Sequence, residues 1–577
     1  MYTFKQVKKA EKLRVQGAEY KLVVLGNCAT QFLAASISGY AKLEGINLHV
    51  FDVDYNQIDV QLRDSDSETY QSKPDAVLIY LASHKLYEEF MRFEIEERVL
   101  FADEIMSRLE TYWDLILCNC KARILQMNFT EINDKVLGNY SAKAQISFTY
   151  QIRKLNMLLQ ERMMQKSNVY PIDLLSVQIG LGNHVFYDPV LYYTAKMPIA
   201  LNALPYVASA ITDVLKALQG KLKKCVILDL DNTIWGGVIG DDGLAGIEIG
   251  ELGRGFAFTN FQLWLRQLRE RGIILAVCSK NEESTAKEPF EKHKEMILRL
   301  SDISIFVSNW EDKASNIKMI QKKLNIGMDS LVFIDDNPFE RNLVRTMIPE
   351  VTVPELPEDP ARYLIYLQEL NLFETIVFSD EDKNRTGQYQ AEFKRNELKQ
   401  SFSSIDGYLK GLEMIGEAKA FQQLDYPRIA QLTQRSNQFN LRTIRYTEDD
   451  IQRMAEDDRY LTFSYTLQDK FGDHGLIAVV IMEKISKKEV FVNTWIMSCR
   501  VLKRGMEGFI VNKMVEEAGK AGFEIIRAQY IPTAKNLMVK DIYKDMGFEM
   551  TQEYEYQLCI KQYNRKNNFI KEKLCSE

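Results

Sequence analysis

Four apolar runs between residues 222 and 375 each lead into polar residues, and this pattern restricts the fold more than any other feature of the sequence. Helix-like stretches separate the runs, which predicts buried strands of a parallel α/β sheet. In such a sheet the carboxyl ends of the strands share one edge, where ligands bind. The polar residues at that edge are Asp229 and Asp231 after CVIL, Ser279 ending IILAVCS, Lys313 beyond ISIFVSNW, and Asp335 and Asp336 after SLVFI. We therefore expect these six side chains to converge.

Clustered carboxylates of this kind indicate a metal-assisted reaction on a phosphate. The negative charges repel unless a cation neutralises them, and oxygen ligands suit Mg²⁺. One aspartate can attack phosphorus as a nucleophile, and a carboxyl two residues away can protonate the leaving oxygen and later activate water. Lys313 and Ser279 can hold the phosphoryl oxygens where charge develops. The intervals between the motifs are too short for a full cap domain, so we expect an open site that a bulky substrate can reach.

The four motifs resemble those of the haloacid dehalogenase (HAD) superfamily. DLDNT is similar to its DxDxT motif, and the polar residues at the other strand ends are similar to its second to fourth motifs. The resemblance implies that Asp229 is the nucleophile and Asp231 the general acid and base. It also implies that Mg²⁺ binds to Asp229, to the carbonyl group of Asp231, and to Asp335 or Asp336.

A narrower resemblance is carried by DLDNTIWGGVIGDDG, NWEDKASNI, FIDDNPFERN and SCRVLKRGMEG, which together are similar to the FkbH-like proteins of this superfamily. Some members of that family take the glyceryl group of 1,3-bisphosphoglycerate, remove both phosphates, and load glycerate as a thioester on an acyl carrier protein. The resemblance implies a HAD phosphatase or a glyceryltransferase, with these two molecules as candidate partners. Two alternatives remain open: a plain phosphatase acting on a sugar or metabolite phosphate, and a scaffold that only binds a carrier protein.

The C-terminal segment resembles GNAT acyltransferases. RVLKRG stands in the place of their RxxGxG loop, whose amides bind a pyrophosphate at a helix N-terminus. The resemblance implies that Arg500, Arg504 and Gly505 bind the pyrophosphate of a CoA-type cofactor. Lys503 replaces the first glycine, which argues against ordinary CoA binding and leaves a carrier protein's pantetheine arm, or a docking role alone, as alternatives.

Two cysteines are candidates for carrying an acyl group. Cys499 directly precedes the RVLKRG loop, on the strand that would line the pantetheine arm, and is the favoured one. Cys28 lies in GNCATQF between a strand and a helix, where the helix dipole is expected to lower the pKa of the thiol. GNCATQF resembles the nucleophile block of SGNH hydrolases, with Asn and Cys in place of Asp and Ser. His184 and Asp188 do not have the spacing of the corresponding base, so a core or surface histidine without a catalytic role is preferred.

The predicted fold is α/β with a HAD-type Rossmann-like parallel sheet, preceded by an SGNH- or flavodoxin-like α/β domain and followed by a GNAT-like α+β domain. The predicted segments are an SGNH-like domain over 1–218, a HAD-like domain over 222–375, a helical linker over 376–415, a GNAT-like domain over 416–560, and a solvated basic tail over 561–577.

The composition limits the classes of binding partner and the cellular compartment that fit this sequence. The net charge of −7 argues against nucleic acid as the main partner, because a phosphate backbone needs a basic surface. The eight cysteines are scattered without a CxxC pair, which argues against a zinc site and a disulfide framework. The start has no apolar signal-peptide segment, and no stretch is apolar enough for a membrane span. We therefore expect a cytoplasmic protein.

Overall fold

The structure, a computed structural model, describes residues 1–377, 395, 398, 402, 404–436, 438–498, 501–533 and 535–573. The chain divides into two compact units, Met1–Lys216 and Ala217–Glu577. The second unit contains two of the three described sheets. Most of the predicted helical linker lies outside the described residues, and the predicted domain boundaries stay predictions.

The sheet of the first unit has five parallel strands in the order β2-β1-β3-β4-β5. The strands are β1 (Tyr20–Gly26), β2 (Leu48–Asp52), β3 (Ala76–Tyr80), β4 (Arg123–Met127) and β5 (Val169–Ile172). β3 is buried along its whole length, as is typical of a parallel sheet covered by helices on both faces. The α/β class and the flavodoxin-like strand order agree with the sequence prediction, whereas the finer resemblance to SGNH hydrolases stays a prediction.

The helices of the first unit pack against this sheet through large apolar side chains. Trp113 is fully buried, and its indole Nε1 donates a hydrogen bond to Oε1 of Gln126 on β4 over 3.0 Å, which fixes its helix on the sheet. None of the described helices, in either unit, is long and apolar enough to cross a membrane. The helices that begin in this unit are α1 (Phe4–Ala10), α2 (Gln31–Leu43), α3 (Ile58–Arg63), α4 (Glu68–Gln71), α5 (Ser83–Phe90), α6 (Phe101–Asn119), α7 (Phe148–Met163), α8 (Leu174–Leu181), α9 (Asn183–Phe186), α10 (Pro189–Ala195) and α11 (Leu204–Leu218).

The first sheet of the second unit has four parallel strands in the order β8-β7-β6-β9. They are β6 (Cys225–Leu228), β7 (Ile274–Ser279), β8 (Ile303–Ser308) and β9 (Leu331–Ile334). The register places Leu228, the last residue of β6, beside Val277 and Ile334. The residue that follows β6 therefore lies in the middle of the carboxyl edge.

Helices connect these strands, as the sequence predicts for an α/β sheet. Residues 229–335 are all described, and apart from short 3-10 turns the intervals between β6, β7 and β8 hold only three helices and no inserted domain. The edge of the sheet therefore has no cap domain supplied from these intervals. The helices of this part are α12 (Ile239–Gly246), α13 (Gly253–Glu270), α14 (Glu283–Lys292), α15 (Lys313–Leu324), α16 (Pro338–Met347) and α17 (Tyr363–Glu369).

The second sheet of this unit is mixed, with eight strands in the order β15-β16-β14-β13-β12-β11-β10-β17. Strand pairing is antiparallel except between β13 and β14 and between β10 and β17. This is the predicted α+β class. The strands are β10 (Ile415–Lys419), β11 (Tyr460–Asp469), β12 (Gly472–Lys484), β13 (Glu489–Met497), β14 (Ile525–Gln529), β15 (Glu549–Gln552), β16 (Glu555–Cys559) and β17 (Lys571–Glu572). The helices are α18 (Ile405–Gly411), α19 (Tyr426–Arg435), α20 (Glu448–Glu456), α21 (Met506–Lys520) and α22 (Ile542–Asp545).

The described part of the predicted solvated tail over residues 561–577 is mostly exposed, but it is anchored to the fold at a few points. Ile570 is buried against the second sheet of the unit, and β17 adds a strand next to β10. The backbone N–H of Lys566 donates to Oδ1 of Asn512 on α21 over 2.9 Å. The basic composition suggested a solvated end because the few apolar residues that anchor this segment lie among many lysines and arginines.

The pairing of strands β13 and β14 ends at Val492, and the segment that contains Asn440 and Leu441 lies between the two strands beyond that point. Asn440 forms an antiparallel bridge with Ile496 of β13. On the other side, the N–H of Ile531 donates to the carbonyl oxygen of Leu441 over 2.8 Å. The fully buried Asn536 donates from Nδ2 to the carbonyl oxygen of Asn440 over 2.9 Å, which pins the segment in place.

We predict that the stability of the first unit decreases in mild acid because of His84. Its ring stacks on Tyr187 with centroids 4.2 Å apart, and burial lowers the pKa of His84 to about 4, with Glu88 opposing this effect. The unfolded chain, with an ordinary histidine pKa, binds the proton more readily, so this contribution to stability is full above about pH 6.5 and decreases as the pH falls toward 4. Between pH 7 and 5 the loss is on the order of 2 kcal/mol.

Urea unfolding of the full chain, followed by hydrogen exchange of the peptide that contains β3, measures this effect. His84→Phe keeps the stacking and should remove most of the pH dependence. His184→Gln, a change of an exposed histidine, is the control and should behave as the wild type. An unchanged pH dependence in His84→Phe would rule out this residue as its source.

Candidate active site

Three carboxylates meet at the carboxyl edge of the four-stranded sheet. One oxygen from each of Asp229, Asp335 and Asp336 lies within 4.8 Å of the other two. Asp229 directly follows β6 and is held by its backbone N–H, which donates to the carbonyl oxygen of Ile334 over 3.0 Å. Asp229 and Asp335 are buried, with exposed fractions of 7% and 0%. The strand register thus brings together the carboxylates that the sequence placed at two strand ends.

The ammonium group of Lys313 lies between two of these carboxylates. Lys313 is the first residue of α15 and is 3% exposed. Its Nζ is 2.8 Å from Oδ1 of Asp229 and 2.5 Å from Oδ2 of Asp335. Such a buried cluster is stable only because opposite charges lie in direct contact.

Burial dominates the acidity of this cluster. It raises the pKa of Asp229 and of Asp335, while Lys313 opposes the increase at both. The pKa of Asp336 is raised by burial and then by the charge of Asp229. For Lys313, burial acts to lower the pKa, but Asp229 and Asp335 outweigh it and the net pKa is raised. The carboxylates therefore lie in a setting that favours binding of a further positive charge.

The donor set fits a hard divalent cation that prefers oxygen ligands. Asp335 already uses Oδ2 for Lys313, and its Oδ1 accepts from the N–H of Asn337 over 2.8 Å. Asp336 has one hydrogen-bonded oxygen, Oδ1, which accepts from the hydroxyl of Thr233 over 3.3 Å. Asp229 and Asp336 thus have more free acceptor capacity than Asp335. All three groups are carboxylates, as suits Mg²⁺ rather than a soft metal.

Asp231 lies outside this carboxylate cluster, although it is two residues from Asp229. Its Oδ1 accepts from the indole Nε1 of Trp235 and from the backbone N–H of Ile239, each over 3.0 Å. Its Oδ2 accepts from Nδ2 of Asn281 over 2.7 Å. The two aspartates of the DLDNT motif therefore have different surroundings, as two carboxylates with different roles require.

A tight turn follows Asp231 and carries the chain over the edge of the sheet. Asn232 has a left-handed backbone with a φ of 52°, and Gly237 has a φ of 88°. The two residues close the loop, because the N–H of Gly237 donates to Oδ1 of Asn232 over 2.9 Å. Trp235 is buried inside this loop. The glycine at 237 is required here for its positive φ.

Ser279 is 1% exposed at the end of β7, where its hydroxyl accepts from Nδ2 of Asn281 over 3.2 Å. The backbone N–H of Asn309 donates to its carbonyl oxygen over 3.2 Å. Ser279 thus lies at the predicted edge and shares Asn281 with Asp231.

Two residues with clear contacts at the site have no counterpart in the sequence prediction. Asn281 links Asp231 to Ser279. Arg341 is 4% exposed, and its Nη1 donates to the carbonyl oxygens of Asp335 and Asp336 over 2.9 and 2.5 Å. The motif FIDDNPFERN contains Arg341, but the sequence does not show that its side chain turns back to the strand end.

The expectation of a lowered pKa for Cys28 is wrong. Cys28 is fully buried, and burial followed by the charge of Asp52 raises the pKa of its thiol, with Lys85 opposing. The helix α2 begins at Gln31 with Thr30 as its N-cap, so Cys28 lies before the first turn. The field of a helix end decreases within about one turn and does not offset the burial of a thiolate. A neutral buried thiol is a poor nucleophile.

The other candidates of the sequence analysis are placed as follows. Cys499 and Arg500 lie outside the described residues. Arg504 is buried, with Nη1 3.5 Å from Oδ2 of Asp469. Gly505 is the N-cap of α21, with a φ of 83°. The charge of Arg504 is therefore partly neutralised by a carboxylate.

His474 lies in a buried polar group, whereas His184 lies at the surface. Nε2 of His474 is 3.0 Å from Oδ2 of Asp469, in the same buried group as Arg504. His184 is exposed on α9. Asp188 caps α10, because its Oδ1 accepts from the N–H groups of Val190 and Leu191.

Comparison with known proteins gives the family of the chain. Residues 21–216 match the sequence model described as FkbH, N-terminal domain. A crystal structure of the N-terminal part of the protein BF1531 from Bacteroides fragilis, which contains a phosphatase domain and is complexed with Mg, is 46% identical. The similarity covers 66% of this chain and 100% of that chain, with a TM-score of 0.63. The chain belongs to the FkbH-type phosphatase family. This confirms the resemblance to FkbH-like proteins.

Two acetyltransferase structures are similar to smaller parts of this FkbH-type chain. The ribosomal-protein-S18-alanine N-acetyltransferase from Escherichia coli is 15% identical over 25% of this chain and 94% of its own, with a TM-score of 0.20. The spermidine N-acetyltransferase from Vibrio cholerae in complex with CoA and spermine is 13% identical over 26% and 98%, with a TM-score of 0.21. These similarities say nothing of the chemistry of the mixed sheet. Among curated proteins, no sequence matches the chain.

We predict that Lys313→Met destabilises the metal-free FkbH-type chain by about 3–5 kcal/mol, because it leaves the buried carboxylates of Asp229 and Asp335 without their ammonium partner. The measurement is urea unfolding in EDTA, with exchange of the β6 peptide as the probe. The matched control is Lys292→Met, which removes a lysine from an exposed pair with Glu288 and should leave the stability nearly unchanged. Equal effects of the two variants would show that Lys313 is not needed to stabilise the carboxylates.

Proposed function

We propose that the protein is a Mg²⁺-dependent HAD-type phosphatase that hydrolyses a phosphomonoester through a phosphorylated Asp229. The observation that carries the proposal is the group of three carboxylates, two of them buried, with Lys313 between Asp229 and Asp335. The 46% identical phosphatase-domain structure that is complexed with Mg supports both the reaction and the metal.

The first chemical step transfers the phosphoryl group to the protein. The carboxylate of Asp229 attacks phosphorus, the bond from phosphorus to the leaving oxygen breaks, and the carboxyl proton of Asp231 passes to that oxygen. Lys313 and Ser279 bind the phosphoryl oxygens as charge develops on them. Asp229, together with Asp336 or Asp335, would hold the metal ion, which supplies further charge neutralisation at the phosphoryl group.

The second step returns Asp229 to its free form. Asp231, now a carboxylate, accepts a proton from a water molecule that attacks the phosphorus of the aspartyl phosphate. The bond from phosphorus to the Asp229 oxygen breaks, and inorganic phosphate leaves. One residue thus serves as acid and then as base.

The substrate class is suggested by the open edge of the sheet. The intervals between β6, β7 and β8 hold helices only, and two large aromatic side chains beyond strand ends, Trp310 in a loop and Phe339 in the first turn of α16, are strongly exposed. Trp310 follows β8 and is 74% exposed, and Phe339 follows β9 and is 69% exposed. A site without a cap from these intervals and with exposed aromatic residues beyond its strand ends supports a bulky or protein-borne phosphate ester as substrate.

We predict that Asp229→Asn abolishes phosphatase activity, with a decrease of at least about 1000-fold in kcat, because an amide cannot attack phosphorus. The assay is phosphate release from p-nitrophenyl phosphate and from glycerol 3-phosphate with Mg²⁺, and EDTA should remove the wild-type activity. Glu270→Gln, a similar loss of charge at the exposed C-terminal end of α13, is the control and should keep full activity.

Intact-mass measurement of the wild type during turnover should show a phosphorylated protein that is absent in Asp229→Asn. Residual activity of Asp229→Asn within about tenfold of the wild type, a change of about 1.4 kcal/mol in the barrier, would falsify the nucleophile assignment. Full activity in EDTA would exclude a requirement for the metal ion.

A second candidate function is glyceryl transfer from 1,3-bisphosphoglycerate to an acyl carrier protein. The match of residues 21–216 to the FkbH N-terminal domain favours it. In this reaction the phosphatase site removes the 3-phosphate, and a thiol displaces the acyl phosphate and forms a thioester. Every cysteine among the described residues is a free thiol, in keeping with a cytoplasmic protein, but the raised pKa of Cys28 argues against it as the acyl carrier. Cys499 is the better candidate. If no thiol is acylated, the plain phosphatase or a carrier-binding scaffold remains.

We predict that incubation with 1,3-bisphosphoglycerate adds one glyceryl group to the protein and that Cys499→Ala removes this adduct. Intact-mass analysis measures the adduct directly. Cys28→Ala should retain it, as should Cys118→Ala, the control at an exposed cysteine. Normal adduct formation in Cys499→Ala contradicts the assignment, and the absence of any adduct in the wild type contradicts enzyme-bound glyceryl transfer while leaving the phosphatase intact.

A further inference from the structure

The carboxylate of Asp231 is fixed from several directions by N–H donors that belong to three different segments. Trp235 and Ile239 donate to Oδ1 from the loop after β6 and from the first turn of α12, and Asn281 donates to Oδ2 from beyond β7. The donors leave the carboxylate with one well-defined orientation. A carboxyl on an exposed loop would instead rotate freely about its terminal bond.

Trp235 cannot turn away from Asp231 because its ring is packed in the core. The residue is fully buried, and its ring meets that of Phe290 on α14 edge to face, with centroids 5.9 Å apart. A buried tryptophan needs a partner for its N–H group, and here that partner is Asp231. Packing and hydrogen bonding therefore hold the indole and the carboxylate together.

Asn281 connects Asp231 to the residue expected to bind the phosphoryl group. Its Nδ2 donates over 2.7 Å to Asp231 and over 3.2 Å to the hydroxyl of Ser279. The backbone of Asn281 is itself held by the hydroxyl of Ser308, which donates to the backbone carbonyl oxygen of Asn281 over 2.8 Å. With an exposed fraction of 6%, the amide has little freedom to leave this position. One side chain thus fixes the distance between an acid–base group and a phosphate-binding group.

We propose that Trp235 and Asn281 are positioning residues that aim the carboxyl of Asp231 at the leaving-group oxygen of the substrate. This inference rests on the proposed phosphatase function. Proton transfer requires that the carboxyl oxygen lie within about 2.6–3.2 Å of the leaving oxygen. Without these donors, the carboxyl of Asp231 is no longer held in one orientation and can rotate away from the leaving oxygen. Transfer of the phosphoryl group then continues, but without a proton for the leaving group.

Leaving groups of different basicity test this role. An alkoxide needs a proton in order to leave, whereas p-nitrophenolate leaves without one. In the first turnover, Asn281→Leu and Trp235→Phe should therefore lose about 100-fold with glycerol 3-phosphate and less than about threefold with p-nitrophenyl phosphate. Asp231→Asn gives the reference pattern, with the same selectivity and a larger loss.

The control variant is Asn316→Leu, which removes a buried amide that bonds to Asn309 and does not contact Asp231. Its activity ratio between the two substrates should equal that of the wild type. Thermal unfolding of every variant separates loss of folded protein from loss of chemistry, and Trp235→Phe, which keeps an aromatic ring in the core, provides the test if Asn281→Leu does not fold.

An equal decrease with both substrates, or no decrease with either, overturns the positioning role. These results differ from failure of the phosphatase proposal, in which Asp229→Asn would keep its activity toward both substrates. A selective loss with glycerol 3-phosphate in both positioning variants, together with an inactive Asp229→Asn, supports both statements.

Discussion

The contact of one buried ammonium group with two buried carboxylates determines how this site is built. Lys313 neutralises part of the charge of Asp229 and Asp335, and without it the edge of the sheet would hold uncompensated negative charge away from water. Counted with Asp336, the three carboxylates and one ammonium leave two formal negative charges, the amount that a divalent cation offsets. The cluster therefore keeps a net negative charge that attracts a metal ion.

The parallel sheet brings these charges together at one edge. β6 lies inside the sheet between β7 and β9, so Asp229 has neighbours on both sides of the edge. Lys313 comes from the first position of the helix that follows β8, two strands away, and its Nζ contacts Asp229 and Asp335. Arg341 stabilises the end of β9, because its guanidinium group donates to the carbonyl oxygens of Asp335 and Asp336. Four separate βα units must be in place before the site exists, which makes the fold and the site inseparable.

Much of this could be predicted from the sequence, because an apolar run that ends in Asp, Ser or Asp-Asp shows both the strand and the edge. The contacts of Asn281 and Arg341 could not, since the sequence does not show which way a side chain turns. Burial explains the error at Cys28, where loss of water outweighs a helix end. Burial also anchors the C-terminal segment through Ile570, which the sequence does not reveal because the surrounding residues are mostly basic and polar. Local pattern predicts elements and strand ends well, whereas contacts between distant segments need the packed structure.

The left-handed backbone at Asn232 bears on how such sites are recognised in other sequences. The position between the second aspartate and the threonine of DLDNT contributes no group to the carboxylate cluster, yet few residues can occupy it. Glycine, asparagine and aspartate tolerate a positive φ, whereas a β-branched side chain there would be strained. The residue type at position 232 is therefore restricted by the backbone conformation and not by the chemistry of the reaction. A substitution to valine or isoleucine would leave every reacting group in the sequence and still remove the turn that holds them.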